Sequence, residues 1–147
     1  MEIANLLGLL VPALISALGA FILGVLWYHP KVMGEQWLQA RGKSVEDFDI
    51  STLPFFMTFV LWLIAAFFYS VIVFSLDVNT VSGLFCVSCL LWIAFALPPT
   101  LMGALYTGYP FDAVAIDSSY QLAGYYVLAV IHIGFFNISG LGGFVGV

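Results

Sequence analysis

The sequence predicts an all-α membrane protein: a four-helix bundle with both termini outside and a short interfacial helix in its first loop. Composition is the first reason. Of 147 residues, 63% are hydrophobic and 7% charged, with a net charge of −5, whereas soluble domains carry roughly a quarter charged residues. The second reason is charge placement. Residues 3–30, 50–76, 78–111 and 118–147 contain no Asp, Glu, Lys or Arg, and each run exceeds the roughly 20 residues that cross a hydrocarbon core. The third is that polar residues inside these runs recur at helical spacing.

The spans are expected over about 6–28, 54–76, 81–106 and 118–139, forming one domain. The first has no basic N-terminal flank and an apolar stretch too long for a cleavable signal, so it is expected to stay as an anchor. Lys31, Arg41 and Lys43 are the basic residues of the chain and all fall in the loop 29–53. The positive-inside bias places that loop in the cytoplasm. Within it, Val32, Met33, Trp37 and Ala40 share a face at helical spacing, with Trp37 as an interfacial anchor. Ser44 and Asp47 read as an N-cap box, and Pro54 opens the second span at a tolerated position.

Polar side chains in hydrocarbon prefer the bundle interior, so their rows mark inward faces. In the fourth span Ser118, Gln121, Tyr125, His132 and Ser139 fall within an arc of roughly 60° at about 100° per residue. In the third, Ser82, Cys86, Cys89, Ala96, Thr100 and Gly103 cluster if the Pro98-Pro99 kink is ignored. The second offers Thr58, Trp62, Ala65 and Tyr69. In the first, Asn5, Gly8, Pro12, Ser16 and Gly19 form a row that lets helices approach closely.

Rise along each helix puts Tyr69, Cys86, Cys89 and His132 at one level, roughly 6 to 11 Å from the outer ends of their helices at about 1.5 Å per residue. They are expected to form a polar cluster in the outer half of the bundle. The plain reading is a pair of small buried thiols beside a hydrogen-bonded imidazole. A metal site lacks a fourth ligand, a redox pair lacks an electropositive setting, and proton or solute passage through His132 is a further possibility.

A second dense region lies at the cytoplasmic interface. Trp27, Tyr28, His29, Lys31, Glu35 and Trp37 come from one side, and Tyr106, Tyr109, Asp112, Asp117 and Tyr120 from the other. An aromatic belt accounts for most of them. The functional reading is an ion-pair lattice or headgroup-sized pocket of His29, Lys31, Asp112 and Asp117.

The run Gly24-Val25-Leu26-Trp27-Tyr28-His29-Pro30-Lys31-Val32-Met33-Gly34-Glu35-Gln36-Trp37 resembles the DUF1761 family of small bacterial membrane proteins. Leu91-Trp92-Ile93-Ala94-Phe95, Pro98-Pro99, Phe111, Ile116-Asp117 and Tyr120-Gln121-Leu122 resemble that family's third and fourth helices. The resemblance implies four helices and a joint role for Trp27, Tyr28, Pro30, Gly34 and Trp37. It implies no activity, and it does not extend to His29, Met33 or the Cys86, Cys89 and His132 group.

No nucleophile-elbow, phosphate-loop or zinc-protease motif is present in the sequence. The acidic balance argues against nucleic acid as a partner. The expected function is therefore non-enzymatic, as a homo-oligomer or accessory subunit working through helix contacts and membrane lipids. A transporter or channel lined by Gln121, Tyr125, His132, Thr58 and Tyr69 is the alternative. A further alternative is a haem, pigment or metal carrier using His29 or His132; otherwise no cofactor is expected.

Overall fold

A computed structural model describes residues 3–47 and 52–139, with side chains over 8–46 and 52–138. Every element among the described residues is helical. Helix α1 spans Ile3–Trp27 and leads through a π turn, Pro30–Gly34, into α2, Glu35–Ala40. Helix α3 spans Thr52–Ser75. The third span consists of α4, Val81–Leu91, a π turn at Trp92–Ala96, and α5, Leu97–Thr107. Helix α6 spans Phe111–Ser139. Four helical stretches are long and apolar enough to cross a membrane.

Local chemistry explains the boundaries. Thr80 caps α4 by accepting the Gly83 N–H at 3.1 Å. Asp77 turns the chain between α3 and α4 at φ 51°, a left-handed conformation that Asp tolerates better than most residues. The last described residues before α3 form a single 3₁₀ turn, Val45–Asp47, and α3 already begins at Thr52, before Pro54. Helix α6 starts at Phe111 rather than near residue 118. Asp112 lies in its first turn, where a carboxylate suits the helix dipole, so the charges that bound the apolar run do not bound the helix.

Two π turns rotate the faces that simple periodicity assigns. Pro98 and Pro99 carry no N–H, so the Ala94 carbonyl lacks a helical donor in either the α or the π register. The chain responds by bonding the Leu97 N–H to the Trp92 carbonyl, five residues back. The earlier turn, Pro30–Gly34, passes so close to Tyr28 that a Cβ on Gly34 would collide with the Tyr28 carbonyl. It also shifts the face of α2. Val32 is exposed and Met33, Trp37 and Ala40 are half-buried, while Gly34 and Leu38 point fully inward.

Helix α1 packs on α3 and α6, and α6 packs on α4 and α5. Small residues make these approaches close: Ala13, Ala17 and Ala20 of α1, Ala66 of α3 and Ala129 of α6 are all buried. Gly8, Pro12 and Ser16 are buried too, and Gly19 faces Ile131 and Val127 of α6. On α3, Trp62 and Tyr69 are buried, Thr58 and Ala65 half-buried. Trp62 covers Gly124 so closely that any side chain there would run into the indole.

Candidate functional site

Two polar regions lie inside the bundle, one near each end. Nearer the Asp77 turn, His132 of α6 has no exposed surface and both ring nitrogens are engaged. Nδ1 lies 2.7 Å from the Leu128 carbonyl, which can only accept, so Nδ1 carries the proton. Nε2 then accepts from the Ser70 hydroxyl at 2.8 Å. Ser16 of α1 stands 3.5 Å from Nδ1. The Tyr69 ring meets the imidazole edge-on at 5.1 Å. Its hydroxyl donates to the Leu84 carbonyl of α4 at 3.0 Å or pairs with Ser88 at 3.1 Å, and Ser88 reaches the Tyr125 carbonyl of α6 at 3.0 Å. The second, third and fourth spans are thereby tied together by neutral hydrogen bonds, Ser16 of the first stands at the distance limit of one, and neither imidazole nitrogen is left open.

Cys86 and Cys89 do not join this cluster. Both are free thiols exposed on α4, with Cys89 Sγ 3.0 Å from the Tyr126 hydroxyl. The inward positions of α4 are Leu84 and Ser88, and Ser82 and Gly103 of the expected row are also exposed while Ala96 and Thr100 are half-buried. A thiol is apolar enough to face lipid, and its weak donor does not force it inward as a hydroxyl is forced. Sequence reasoning missed Ser70 and Ser88; weighting hydroxyls above thiols on the helical wheel would have found them.

In α6, Ser118 and His132 are buried, and Gln121 and Tyr125 half-buried. The Ser139 side chain lies outside the described residues.

At the first-loop end, Asp117 holds the structure together. Its two oxygens accept from the Tyr28 hydroxyl at 2.7 Å and the Tyr109 hydroxyl at 3.0 Å, joining the end of α1 to the α5–α6 link. Burial, reinforced by the Asp117 carboxylate, raises the Tyr28 phenol far above its ordinary value. Tyr109 is raised by burial and by Asp117, against opposition from Arg41 and Trp37. The Arg41 guanidinium lies 4.2 Å from the Trp37 ring centre and 5.7 Å from that of Tyr109.

Tyr120 centres the aromatics. Its hydroxyl accepts from Trp62 Nε1 at 2.6 Å and donates to the Ala20 carbonyl at 3.2 Å, and its ring lies 5.3 Å from Tyr28 and 6.5 Å from Trp27. These rings form an internal stack rather than a belt; Tyr106, by contrast, is 92% exposed.

The ion-pair lattice expected of His29, Lys31, Asp112 and Asp117 is not formed. His29, Lys31 and Asp112 are exposed, His29 Nδ1 accepts the Lys31 backbone N–H at 3.2 Å, and both Asp117 oxygens are taken by phenols. One turn further along α6, Ser118 Oγ and Gln121 Oε1 are buried without a hydrogen-bond partner. Among the described residues, no group of three or more His, Cys, Asp or Glu is arranged to hold a metal.

The model of a family described as a protein of unknown function, DUF1761, matches residues 11–133. The chain belongs to the DUF1761 family. That match takes in both polar regions, from Ser16 on α1 to His132 on α6, so each lies within the part of the DUF1761 chain that the family shares. No curated protein and no solved structure matches the chain.

Proposed function

We propose that this DUF1761 chain is a non-enzymatic membrane subunit, assembling with itself or with a larger complex through the outer face of its third span. The observation that carries this reading is the unequal burial of the spans. Within the chain, 11% of the third span's apolar window is buried, against 28% to 33% for the other three. That uncovered face includes the small residues Ser82, Cys86, Cys89 and Gly103, which allow close helix approach in lipid, where association depends on packing rather than on hydrophobic drive. Membrane lipids cover what a partner does not. The first loop, carrying all three basic residues, faces the cytoplasm of a bacterial inner membrane in this reading.

The two exposed thiols supply the test. Mild oxidation of native membranes is expected to give a disulfide-linked species that disappears in Cys86→Ser/Cys89→Ser, and native mass spectrometry of gently released protein is expected to show added subunit mass. A bare monomer by both methods would overturn the proposal.

Transport by way of His132 is the second reading, supported by a buried ionisable group inside the spans. It is weakened by the commitment of both imidazole nitrogens to Ser70 and Leu128. Proton flux in proteoliposomes that is lost in His132→Ala would favour it. A haem or pigment role for His29 or His132 predicts visible absorption in the purified protein.

A further inference from the structure

The seam between α5 and α6 holds two buried side-chain oxygens without a hydrogen-bond partner. Ser118 is 6% exposed, and its hydroxyl has no partner. Gln121 Oε1, three residues on, is likewise buried and unpartnered. Residues three and four apart share a helix face, so Asp117, Gln121 and Ser118 present their oxygens within about 100° of one another. Facing them, Thr100 Oγ1 uses its hydrogen on the Ala96 carbonyl at 2.8 Å and turns a lone pair toward the Gln121 amide. That amide hydrogen bond is 3.5 Å long, at the limit for one, so it joins the two side chains only weakly.

Charge points the same way. Asp117 accepts two phenol hydrogen bonds, which leaves lone pairs on both oxygens. No basic side chain forms an ion pair with it among the described residues; Arg41 reaches the Tyr109 ring instead. A carboxylate inside a spanning helix and unpartnered acceptors beside it are each costly in a membrane. One occupant relieves both costs.

We propose that this seam binds a single monovalent cation, an inorganic ion or a protonated amine, held by the Asp117 carboxylate and the oxygens of Gln121, Ser118 and Thr100. One negative charge, with neutral oxygens on the same face of α6, matches one positive charge, the oxygens replacing its hydration shell. A divalent ion would want more carboxylates. The Gln121 carboxamide needs only to turn over to bring Oε1 to the Thr100 side. Trp92 reports on the site, since its indole N–H donates to the Ser118 carbonyl at 2.9 Å. The proposal does not depend on the subunit reading.

The test uses the purified full chain in detergent at constant ionic strength, in the chlorides of sodium, potassium, methylammonium or bulky N-methylglucamine. At least one small cation is expected to raise the unfolding temperature saturably by several degrees over N-methylglucamine and to change tryptophan emission. Which salt acts separates an inorganic ion from an amine. Asp117→Asn and Gln121→Leu are expected to abolish the difference. Gln121→Leu leaves the Tyr28 and Tyr109 bonds intact, so it decides the matter if Asp117→Asn does not fold. Equal unfolding temperatures and emission in all four salts would overturn the proposal, as would a cation effect undiminished in Gln121→Leu.

Discussion

The two polar regions share helix α6 yet are built on opposite principles. Around His132, donors and acceptors balance: Ser70 gives to Nε2, Nδ1 gives to Leu128, and Tyr69 and Ser88 close on the backbone carbonyls of α4 and α6. Around Asp117 and Gln121 the balance is incomplete: Ser118 Oγ and Gln121 Oε1 stay unpartnered, as do the indole N–H groups of Trp27 and Trp37 nearby. The contrast teaches that a buried ionisable residue in a membrane helix need not be the functional one. His132 is the more conspicuous group in the sequence, and both of its ring nitrogens are engaged by Ser70 and the Leu128 carbonyl. The seam beside Asp117 is less conspicuous and has chemistry to spare.

Substitutions can break this contrast. The largest effect is expected for His132→Ala, which opens a cavity and strips the Ser70 hydroxyl of its partner, costing about 3 kcal/mol. Thermal unfolding in detergent measures it; a loss below about 0.5 kcal/mol, the scale of an ordinary surface change, would show that the cluster does not hold the bundle. Tyr28→Phe removes a hydrogen bond to a charged carboxylate and should cost about 2 kcal/mol by the same assay.

Tyr28 and Tyr109 add a pH signature. Both phenols are raised above the ordinary value of 10.0 in the folded chain. Their stabilising contribution is therefore complete below that value and lost as the pH climbs from it toward the folded-state pKa. Unfolding temperature is expected to fall at strongly alkaline pH, less steeply in Tyr28→Phe. An identical slope in the two proteins would remove Tyr28 from the account.

Tyr69→Phe tests whether the balanced region shares its load. Loss of the hydroxyl that meets Leu84 and Ser88 is expected to cost about 1 kcal/mol, because buried hydrogen bonds between membrane helices are individually weak. The smallest effect belongs to the unbalanced region. Gln121→Leu deletes an unpartnered acceptor, so in the absence of a small cation its stability should lie within about 0.5 kcal/mol of the parent. A large loss there would mean that the Thr100 contact is a genuine structural bond.

Much of the architecture is legible without coordinates. Charge-free runs and helical polar spacing determine an all-α chain with four spans, because hydrocarbon tolerates few charges and requires every backbone group to be bonded within its segment. The motif around Trp27 to Trp37 lies inside the stretch that the family model matches, residues 11–133. Which residues meet inside the bundle is another matter. The π turns at Pro30–Gly34 and Trp92–Ala96 shift the angular register of the helices that continue from them, α2 and α5, and no fixed 100° step anticipates them. In lipid, moreover, apolar and weakly polar side chains differ little in their preference for the interior. Cys86 and Cys89 could thus turn outward while Ser88, lying between them, turned in to meet Tyr69 and the Tyr125 carbonyl. Sequence alone determined the spans because crossing a membrane is a one-dimensional constraint. Tertiary packing decided that Asp117 pairs with tyrosines instead of with basic side chains, because only neighbouring helices determine which donors come within hydrogen-bonding distance of a given oxygen.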